Sequence, residues 1–462
     1  MKNIVVKMGP VNKKPNGSFW LLVLLLNCFY ACNKTEELQT AATVTSASAD
    51  DLARDPKPNI IFILGDDIGY EIPAVNGGQS YTTPNIDFLA ANGVRFTQCY
   101  GAANCSPSRF MLLTGKYNFR NYTKWGVMDP SEKTLGNMFK NAGYATCYAG
   151  KWQLDGGDNS ARAFGFDKYS MWLPFYKLPE ESPRYKSPEI LQDGAYLPAS
   201  ETKDKYSVDI FTKYIQDFID SNQRKPFFIY YSMPLCHKVF CPTPDDPEYA
   251  TYDFTKSDPK FFPSMVNYMD KQIGVLLAKI NSAGLRRKTI FVFLGDNGSP
   301  KNIVSTYNGY EVPGEKGQTT SYGTHVPLIF YWPKNAPEGV VTNQLVDFTD
   351  FMPTLANLTG IPVPANYGVL DGKDFSQVVK GTATSSSRDA VFLHFQPFLN
   401  ESGNRLFRYA ANSTYKLYDE SGFFYNVVND IEEQHPIPAA SLTPQELLTK
   451  QYFEQIISTM HK

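Results

Sequence analysis

The chain has 462 residues, and its 44 Lys and Arg nearly balance 46 Asp and Glu, so the formal net charge is only -2. This length exceeds one small core and suits a large domain with a smaller appendage. Because no run of Lys or Arg follows the N-terminal segment, we expect no nucleic-acid binding, and any polyanion must bind to a local cluster of charge.

Residues 1–32 have the features of a signal peptide. Lysines precede the apolar run FWLLVLLLNCFYAC, which is too short to span a bilayer comfortably. Residues 33–56 are polar and small, so we predict a flexible linker there. The layout resembles bacterial lipoprotein signals, whose first mature residue is a lipidated cysteine; Cys32 matches best and Cys28 is the alternative. We therefore expect export to the periplasm or cell envelope, with the protein held at a bacterial membrane only through a lipid on Cys32.

Strands and helices are predicted to alternate from residue 57 to 381. The apolar run 60–64 is typical of a buried parallel strand, and Thr83 with Pro84 predicts the start of a helix. Further helices are predicted over 131–143, 207–219 and 264–283, and strands over 145–149, 227–231 and 289–298. This order predicts an α/β catalytic domain, with a large, mixed, mostly parallel sheet sandwiched by helices.

The sequence changes character after residue 381. Residues 381–389, GTATSSSRD, are predicted to link the catalytic domain to a small α+β subdomain over 382–462. Residues 414–427 predict two antiparallel strands around a turn. A capping box of Thr443 and Glu446 predicts a terminal helix. Its apolar stripe is predicted at Leu448, Tyr452, Ile456 and Met460.

Two predicted strands end in similar polar groups. FILGDDIG places Asp66 and Asp67 after the first strand, and FVFLGDNG places Asp296 and Asn297 after a later one. Ligands of α/β sheets bind beyond the carboxyl ends of the strands, and hard oxygen ligands suit Ca²⁺ or Mg²⁺. Either pair alone would be as typical of a turn or helix cap. The metal hypothesis therefore depends on both pairs occurring with the motif CSPSR.

Five cysteines follow the signal region, and one of them, Cys105, begins CSPSR. In an oxidising compartment, an odd number indicates that at least one thiol has a fate other than a disulfide. Several buried free cysteines are the alternative.

An ordered series of motifs resembles the formylglycine-dependent (type I) sulfatases of the alkaline-phosphatase-like superfamily. The series is PNIIFILGDDIGY, TPNIDFLAANGVRF, CSPSRFMLLTG, TLGNMFKNAGYATCYAGKW, FLGDNG, GEKGQTTSYGTHVPLIFYWP and DFMPTLANLTGIPVP. The likeness runs from residue 58 to about 425. A lone Cys-x-Pro-x-Arg would be weak support, but the complete series in this order is specific.

The resemblance implies a role for each candidate site residue. Cys105 would be oxidised by a formylglycine-generating maturation enzyme, and the hydrated aldehyde would be both nucleophile and metal ligand beside the four oxygen ligands. Arg109 would hold the nucleophile's oxygen, Lys151 and Lys316 would bind sulfate, and His237 would protonate the departing alcohol. The family makes Ca²⁺ the expected metal, although the residues permit Mg²⁺.

Two positions depart from the family pattern. Gln153 stands where the family usually has a histidine that helps expel sulfate, and glutamine cannot serve as a base near neutral pH. Water, His237 or another group would take that step, turnover would be slow, or Gln153 would place a substrate hydroxyl. SYGTHVP at 321–327 lacks the acidic residue, two glycines and Arg of many members, which concerns subfamily more than chemistry. Residues 171–199 are a candidate wall of the substrate pocket.

These features predict a sulfuric ester hydrolase that acts on a sulfated carbohydrate in polysaccharide degradation. An alkyl or aryl sulfate is also a possible substrate. One alternative is a phosphodiesterase or phosphonate hydrolase of the same superfamily, because tetrahedral oxyanions resemble one another. Another is a glycan-binding lipoprotein with a decayed site, which Gln153 alone favours.

Overall fold

A computed structural model describes residues 57–122, 124–175, 183–396 and 405–460. The predicted signal peptide, the linker over 33–56, and the candidate lipidation sites Cys28 and Cys32 lie outside these residues. None of the described helices is both long and apolar enough to cross a membrane.

A mixed sheet of ten strands forms the centre of the described structure, in the order β12-β2-β11-β8-β1-β7-β3-β4-β5-β6. The neighbours β12 and β2, β8 and β1, β1 and β7, β7 and β3, and β3 and β4 are parallel. Its strands are β1 Asn59–Gly65, β2 Val94–Tyr100, β3 Ala145–Lys151, β4 Lys168–Trp172, β5 Ile190–Gln192, β6 Ala195–Tyr196, β7 Phe227–Met233, β8 Thr289–Gly295, β11 His325–Tyr331 and β12 Val340–Asp347. Strands β9 Val304–Tyr307 and β10 Tyr310–Pro313 form a separate hairpin.

Helices cover both faces of this sheet. Their bounds are α1 Pro84–Ala91, α2 Cys105–Thr114, α3 Leu135–Asn141, α4 Gly157–Ala163, α5 Ala199–Thr202, α6 Ser207–Ser221, α7 Phe262–Ser282, α8 Ser321–Thr324, α9 Phe351–Thr359, α10 Ser376–Val379 and α11 Pro444–Met460. Successive side chains of a strand point to opposite faces, so Ile60, Phe62 and Leu64 of β1 join the core under α2, α3 and α9. Ile61 and Ile63 join the other core, under α1, α6 and α7. The predicted α/β architecture is confirmed.

A small antiparallel sheet lies near the C-terminus, as predicted, and in the described residues it has four strands, two more than the sequence indicated. Its strands are β13 Val391–Phe395, β14 Phe407–Ala411, β15 Tyr415–Tyr418 and β16 Phe424–Asn426. The last two flank the expected turn, and α11 begins at the expected capping box, in which Glu446 N–H donates to Thr443 Oγ1 over 3.3 Å.

The predicted apolar stripe of α11 is wrong in part. Phe453 and Ile457 are the buried residues, whereas Leu448 and Tyr452 are 60% and 39% exposed. Ile456 and Met460 are partly buried beside that contact. The sequence offers apolar residues on two sides of this helix, and the side that contacts β14 and β15 is set by how the helix packs against them.

Residues 381–389, the predicted linker, precede β13, and the end of this segment is fixed by hydrogen bonds. Arg388 is buried, and its Nε donates to Asp350 Oδ2 over 2.5 Å. Its Nη1 also donates to Ala390 O over 3.0 Å. This network fixes the segment to the start of α9.

Candidate active site

The candidate oxygen ligands meet because β1 and β8 are adjacent, parallel and in register, with Gly65 opposite Gly295. The residues that follow these glycines therefore emerge side by side. Asp67 N–H donates to Asp296 Oδ1 over 2.9 Å, and Asn297 Nδ2 donates to Asp67 Oδ1 over 2.8 Å. All four predicted ligands, including Asp66, are buried.

The CSPSR motif forms the first turn of α2. Cys105 is the first helical residue, and Arg109 follows one turn later on the same side of the helix. Arg109 Nη2 lies 3.0 Å from Asp296 Oδ2 and 3.7 Å from Asp66 Oδ1. Cys105 Sγ lies within 4.8 Å of a carboxylate oxygen of each aspartate. The spacing of four residues thus places a thiol at a helix N-terminus, where anions are stabilised, next to a fixed guanidinium.

Lys151 ends β3 and points at the same carboxylates. Its Nζ donates to Asp66 Oδ2 and Oδ1 over 2.7 and 3.0 Å. Its carbonyl accepts a hydrogen bond from Ser232 Oγ of β7 over 2.8 Å, and Ser232 Oγ in turn accepts one from Arg109. Ser232 therefore connects two predicted site residues, although no sequence motif identified it.

Lys316 reaches the site from the loop between β10 and α8. Its Nζ lies 2.5 Å from Asp67 Oδ1. Backbone hydrogen bonds fix the loop at two points, from Lys316 N–H to Ser299 O over 3.0 Å and from Gly317 N–H to Ala103 O over 2.8 Å. The loop is thereby tied to the segments that follow β8 and precede Cys105.

His237 lies in the loop after β7. Its Nδ1 is 2.6 Å from Lys238 O, and because a carbonyl can only accept, Nδ1 carries the proton. Nε2 is then the nitrogen that faces the site, 3.9 Å from Asp67 Oδ2. Burial lowers the pKa of His237 well below its usual value, and the positive charges of Arg184 and Lys316 lower it further.

Gln153 lies beside the reactive position. Its Oε1 accepts a hydrogen bond from Cys105 Sγ at 3.3 Å, and its side chain is buried. This contact places Gln153 next to position 105, a role that was not among the alternatives drawn from the sequence.

The carboxylates differ strongly in their affinity for protons. Burial alone would raise the pKa of Asp66, but Lys151 and the other nearby cations hold that pKa well below its usual value. Burial and the charge of Asp66 raise the pKa of Asp296 to about 7, although Arg109 opposes this shift. Burial would lower the pKa of Lys316, but Asp67 raises it above its ordinary value. The group is a dense, buried set of interdependent charges.

Comparison with known proteins assigns this arrangement to a family. The sulfatase family model matches residues 58–361, and a model of the N-sulphoglucosamine sulphohydrolase C-terminal region matches residues 318–461. The chain belongs to the sulfatase family. It is a sulfuric ester hydrolase, as the sequence predicted.

Sulfatases of known activity resemble it over most of their length. Human arylsulfatase A is 30% identical over 390 residues, which cover 76% of this chain and 73% of that protein. Mouse N-acetylgalactosamine-6-sulfatase is 29% identical over 349 residues, covering 69% of this chain and 65% of that one.

Solved structures share the fold. The crystal structure of Ps i-CgsB has a TM-score of 0.70 at 23% identity and covers 82% of this chain and 88% of its own. BT4656, solved with its substrate D-glucosamine-2-N,6-O-disulfate, has a TM-score of 0.68 at 20% identity and covers 87% and 97%.

The residues of this sulfatase fit a divalent cation. The predicted ligand atoms are hard oxygens, which suit Ca²⁺ or Mg²⁺. Asn297 Oδ1 is buried and has no hydrogen-bond partner in the part of the chain that the structure describes. An orphaned buried acceptor is costly, so a ligand for it is expected. The ammonium groups of Lys151 and Lys316 already offset part of the carboxylate charge.

Sequence reasoning missed Arg184 at this sulfatase site. It belongs to the candidate wall 171–199, and its Nη1 lies 3.6 Å from Asp66 Oδ2. Pro- and Tyr-rich composition indicated a wall, but nothing local distinguished this arginine from one exposed to solvent.

Other sequence features remain outside the site. The remaining described cysteines are free and buried, which matches the alternative of several buried free thiols; they are Cys99, Cys147, Cys236 and Cys241.

The segment 321–327, which departs from the family pattern, forms α8 and the start of β11. There, His325 stacks on Tyr70 and Tyr100 with ring centroids 4.0 and 5.0 Å apart. At His325, the difference from the family pattern therefore concerns the packing of aromatic side chains.

Proposed function

We propose that this sulfatase removes sulfate from a sulfated carbohydrate, and that Cys105 is matured to formylglycine to supply the nucleophile. The observation that carries the proposal is the position of Cys105, buried at a helix N-terminus within 4.8 Å of Asp66 and Asp296 oxygens. A free thiol has no evident use among hard oxygen ligands, which are unsuited to a metal that prefers thiolate. An aldehyde hydrate at the same position would supply an oxygen instead.

Different residues of the chain then have different roles in the reaction. Lys151 and Lys316 neutralise charge on the sulfate oxygens, and Arg109 holds the nucleophile's oxygen with fixed donors. His237 presents Nε2 to the site. The negative charge of the bound sulfate favours protonation of this nitrogen, and the protonated Nε2 then donates its proton to the alcohol oxygen that departs, which returns His237 to the neutral form. Gln153 orients the side chain at position 105.

A divalent cation would be held by the oxygens of Asp66, Asp67, Asp296 and Asn297. When bound, Ca²⁺ or Mg²⁺ supplies Lewis-acid stabilisation of negative charge. Ca²⁺ is proposed as the resident ion because the resemblance to the formylglycine-dependent sulfatases implies it, and the oxygen ligands also permit Mg²⁺.

Sulfated sugars are the proposed substrate class because of what the relatives act on. The mouse relative is named for N-acetylgalactosamine 6-sulfate, and BT4656 was solved with a sulfated glucosamine. The arylsulfatase relatives make an aryl sulfate a suitable test substrate.

Mass spectrometry and sulfate release test the proposal together. The tryptic peptide over 96–109 from protein made with an active maturation system should carry a carbonyl in place of the Cys105 thiol. That protein should release sulfate from 4-nitrophenyl sulfate and from sulfated sugars, whereas Cys105→Ala should not. Retention of the thiol in active enzyme would disprove the formylglycine mechanism. Faster turnover of phosphonate or phosphodiester analogues would favour the other hydrolase class, and tight binding of sulfated glycans without turnover would favour a decayed site.

We also propose export and a lipid anchor at Cys32, on the basis of the N-terminal sequence. Metabolic labelling with a radioactive fatty acid should mark the wild-type protein and Cys28→Ala but not Cys32→Ala. Label retained in Cys32→Ala and lost in Cys28→Ala would move the anchor to Cys28, and unlabelled wild type would exclude it.

A further inference from the structure

The loop that carries Lys316 is held from two sides of the molecule. Residues 315–320 are partly exposed or exposed, so burial does not fix them. The backbone hydrogen bonds of Lys316 and Gly317 to the catalytic domain hold the first part of this loop. Its last part, at Thr319, contacts the C-terminal antiparallel sheet instead. The position of Lys316 therefore depends on a second part of the fold, which the mechanism above does not use.

Lys416 of β15 makes one of the contacts at Thr319. Its Nζ donates to Thr319 O over 2.9 Å and lies 2.5 Å from Glu433 Oε1. The two side chains of this ion pair are buried, with exposed fractions of 3% and 4%. The ammonium also lies over the Tyr409 ring, 4.6 Å from its centroid. Lys416 is thus a fixed hydrogen-bond donor to one carbonyl of the loop.

Tyr418, two residues further along β15, makes a second contact with Thr319. Its hydroxyl lies 3.0 Å from Thr319 Oγ1 and donates to Glu433 Oε2 over 2.6 Å. Because a hydroxyl has a single proton to donate, Thr319 Oγ1 is the donor in the first contact. Glu433 therefore binds both residues that hold Thr319, one with each carboxylate oxygen.

Stability alone does not account for the buried pair of Lys416 and Glu433. Removing an ammonium and a carboxylate from water costs about as much as their attraction returns, and apolar residues of similar size often stabilise a protein equally well. Apolar side chains could not donate a hydrogen bond to Thr319 O. The buried pair supplies that donor in a fixed position.

A closed turn connects Thr319 to Lys316. Gln318 N–H donates to Glu315 O over 2.8 Å, which closes the turn directly before Thr319. The turn therefore moves as a unit, and a displacement at Thr319 is transmitted to the backbone of Lys316. A displacement of about 1 Å in a group that binds substrate is enough to weaken binding and catalysis.

We propose that Lys416 is a positioning residue, which holds the Lys316 loop so that Lys316 reaches the sulfate. Glu433 and Tyr418 keep the contact in place. The inference rests on the sulfate-binding role proposed for Lys316, and it gives the C-terminal sheet a part in that role. Neither Lys416 nor its two partners touches the reacting atoms.

Inhibition by inorganic sulfate tests this inference without knowledge of the natural sugar. The matured enzyme hydrolyses 4-nitrophenyl sulfate while inorganic sulfate competes at constant ionic strength, which gives Ki for sulfate together with kcat and KM. Lys416→Met/Glu433→Gln removes the donor without leaving a buried carboxylate unpaired. We expect this variant to raise Ki and KM about tenfold, because Lys316 is no longer held in place.

A double-mutant cycle shows whether this effect passes through Lys316. Lys316→Met alone should raise Ki about 100-fold, because it removes a charge that contacts the sulfate. Adding Lys416→Met/Glu433→Gln to Lys316→Met should then change Ki by less than about twofold. Tyr418→Phe removes a single hydroxyl and should raise Ki about threefold, so it provides the test even if the first variant does not fold.

Arg408→Met is the matched control. Arg408 lies on the neighbouring strand β14, and its guanidinium pairs with Asp419 and Glu420 over 2.6 and 3.8 Å instead of contacting the Lys316 loop. This variant should lower the free energy of unfolding and keep Ki and KM within about twofold of wild type. If Lys416 were only structural, its variant would behave in the same way, with a smaller active fraction and an unchanged Ki.

Two results would overturn the inference. One is an unchanged Ki in both Lys416→Met/Glu433→Gln and Tyr418→Phe. The other is a rise in Ki that is equally large when Lys316 is already replaced by Met. An unchanged Ki in Lys316→Met would instead refute the role proposed for Lys316, and failure of the matured wild type to release sulfate from any compound would refute the proposed function.

Discussion

Gly150, immediately before Lys151, is the glycine whose replacement should damage catalysis most directly. Its φ is +102°, and a Cβ built on it would lie 2.0 Å from Ser232 O, whereas ordinary contact begins at 3.4 Å. Gly150→Ala therefore requires β3 and β7 to separate locally by about 1.4 Å, besides adopting a left-handed conformation. The residues displaced are Lys151 and Ser232, which together orient Arg109.

The expected cost has two parts. Left-handed strain on alanine costs about 1–2 kcal/mol, and overpacking adds about 1–3 kcal/mol, so the free energy of unfolding should fall by about 2–5 kcal/mol. A displacement of about 1 Å in positioning groups should lower kcat/KM for sulfate release by about 100-fold.

A matched glycine separates the two costs. Gly143 has φ +83° and nothing within 4 Å of the added Cβ, so Gly143→Ala carries the strain without the clash. The free energy of unfolding of Gly143→Ala should fall by about 1–2 kcal/mol, and its kcat/KM should remain that of the wild type. Urea unfolding and sulfate release, measured on samples shown to be folded by circular dichroism, provide both readouts. If Gly150→Ala loses no more stability than Gly143→Ala and keeps kcat/KM within threefold, the argument from close approach is wrong.

Three further changes test other parts of the structure. Arg388→Met should lower the free energy of unfolding, measured in urea, by about 3–5 kcal/mol, because it leaves the buried Asp350 carboxylate without its guanidinium. Arg120 is 34% exposed in its ion pair, so Arg120→Met should lower that free energy by at most about 1 kcal/mol. Equal losses for the two variants would contradict this reasoning. Burial lowers the pKa of His325 to about 4. The free energy of unfolding should therefore have its full value above about pH 6.5 and fall by about 3 kcal/mol as the pH drops towards 4, because the unfolded state binds the proton more readily. His325→Asn should flatten that part of the unfolding profile, and an unchanged slope would exclude His325 as its source. Asn297→Leu should weaken Ca²⁺ binding in calorimetry at least about tenfold, because the orphaned Oδ1 is removed; unchanged affinity would remove Asn297 from the ligand set.

The sequence by itself identified the elements that place the site. Apolar runs followed by Gly and Asp indicated buried strands with polar ends, and the structure has β1 and β8 there. The Thr443 and Glu446 capping box located the start of the terminal helix. These features are local, because propensity, capping and period depend on residues a few positions apart.

The convergence of the predicted site residues also followed from sequence, once strand ends were assumed to meet at one edge of a sheet. Asp66, Lys151 and Asp296 follow or end strands that the structure arranges as β8-β1-β7-β3. Local sequence does not encode that order, so the resemblance to sulfatases supplied what periodicity could not.

Only the tertiary structure determined which residues outside the motifs reach the site or the core. Arg184 and Arg388 lie in segments whose composition predicts loops, yet both are buried against carboxylates contributed by distant strands and helices. Phe453 and Ile457, not Leu448 and Tyr452, form the buried side of α11. The physical reason is the same for each. Local sequence limits which side chains are able to pack or pair, but the partner that covers or neutralises them is brought there by the fold.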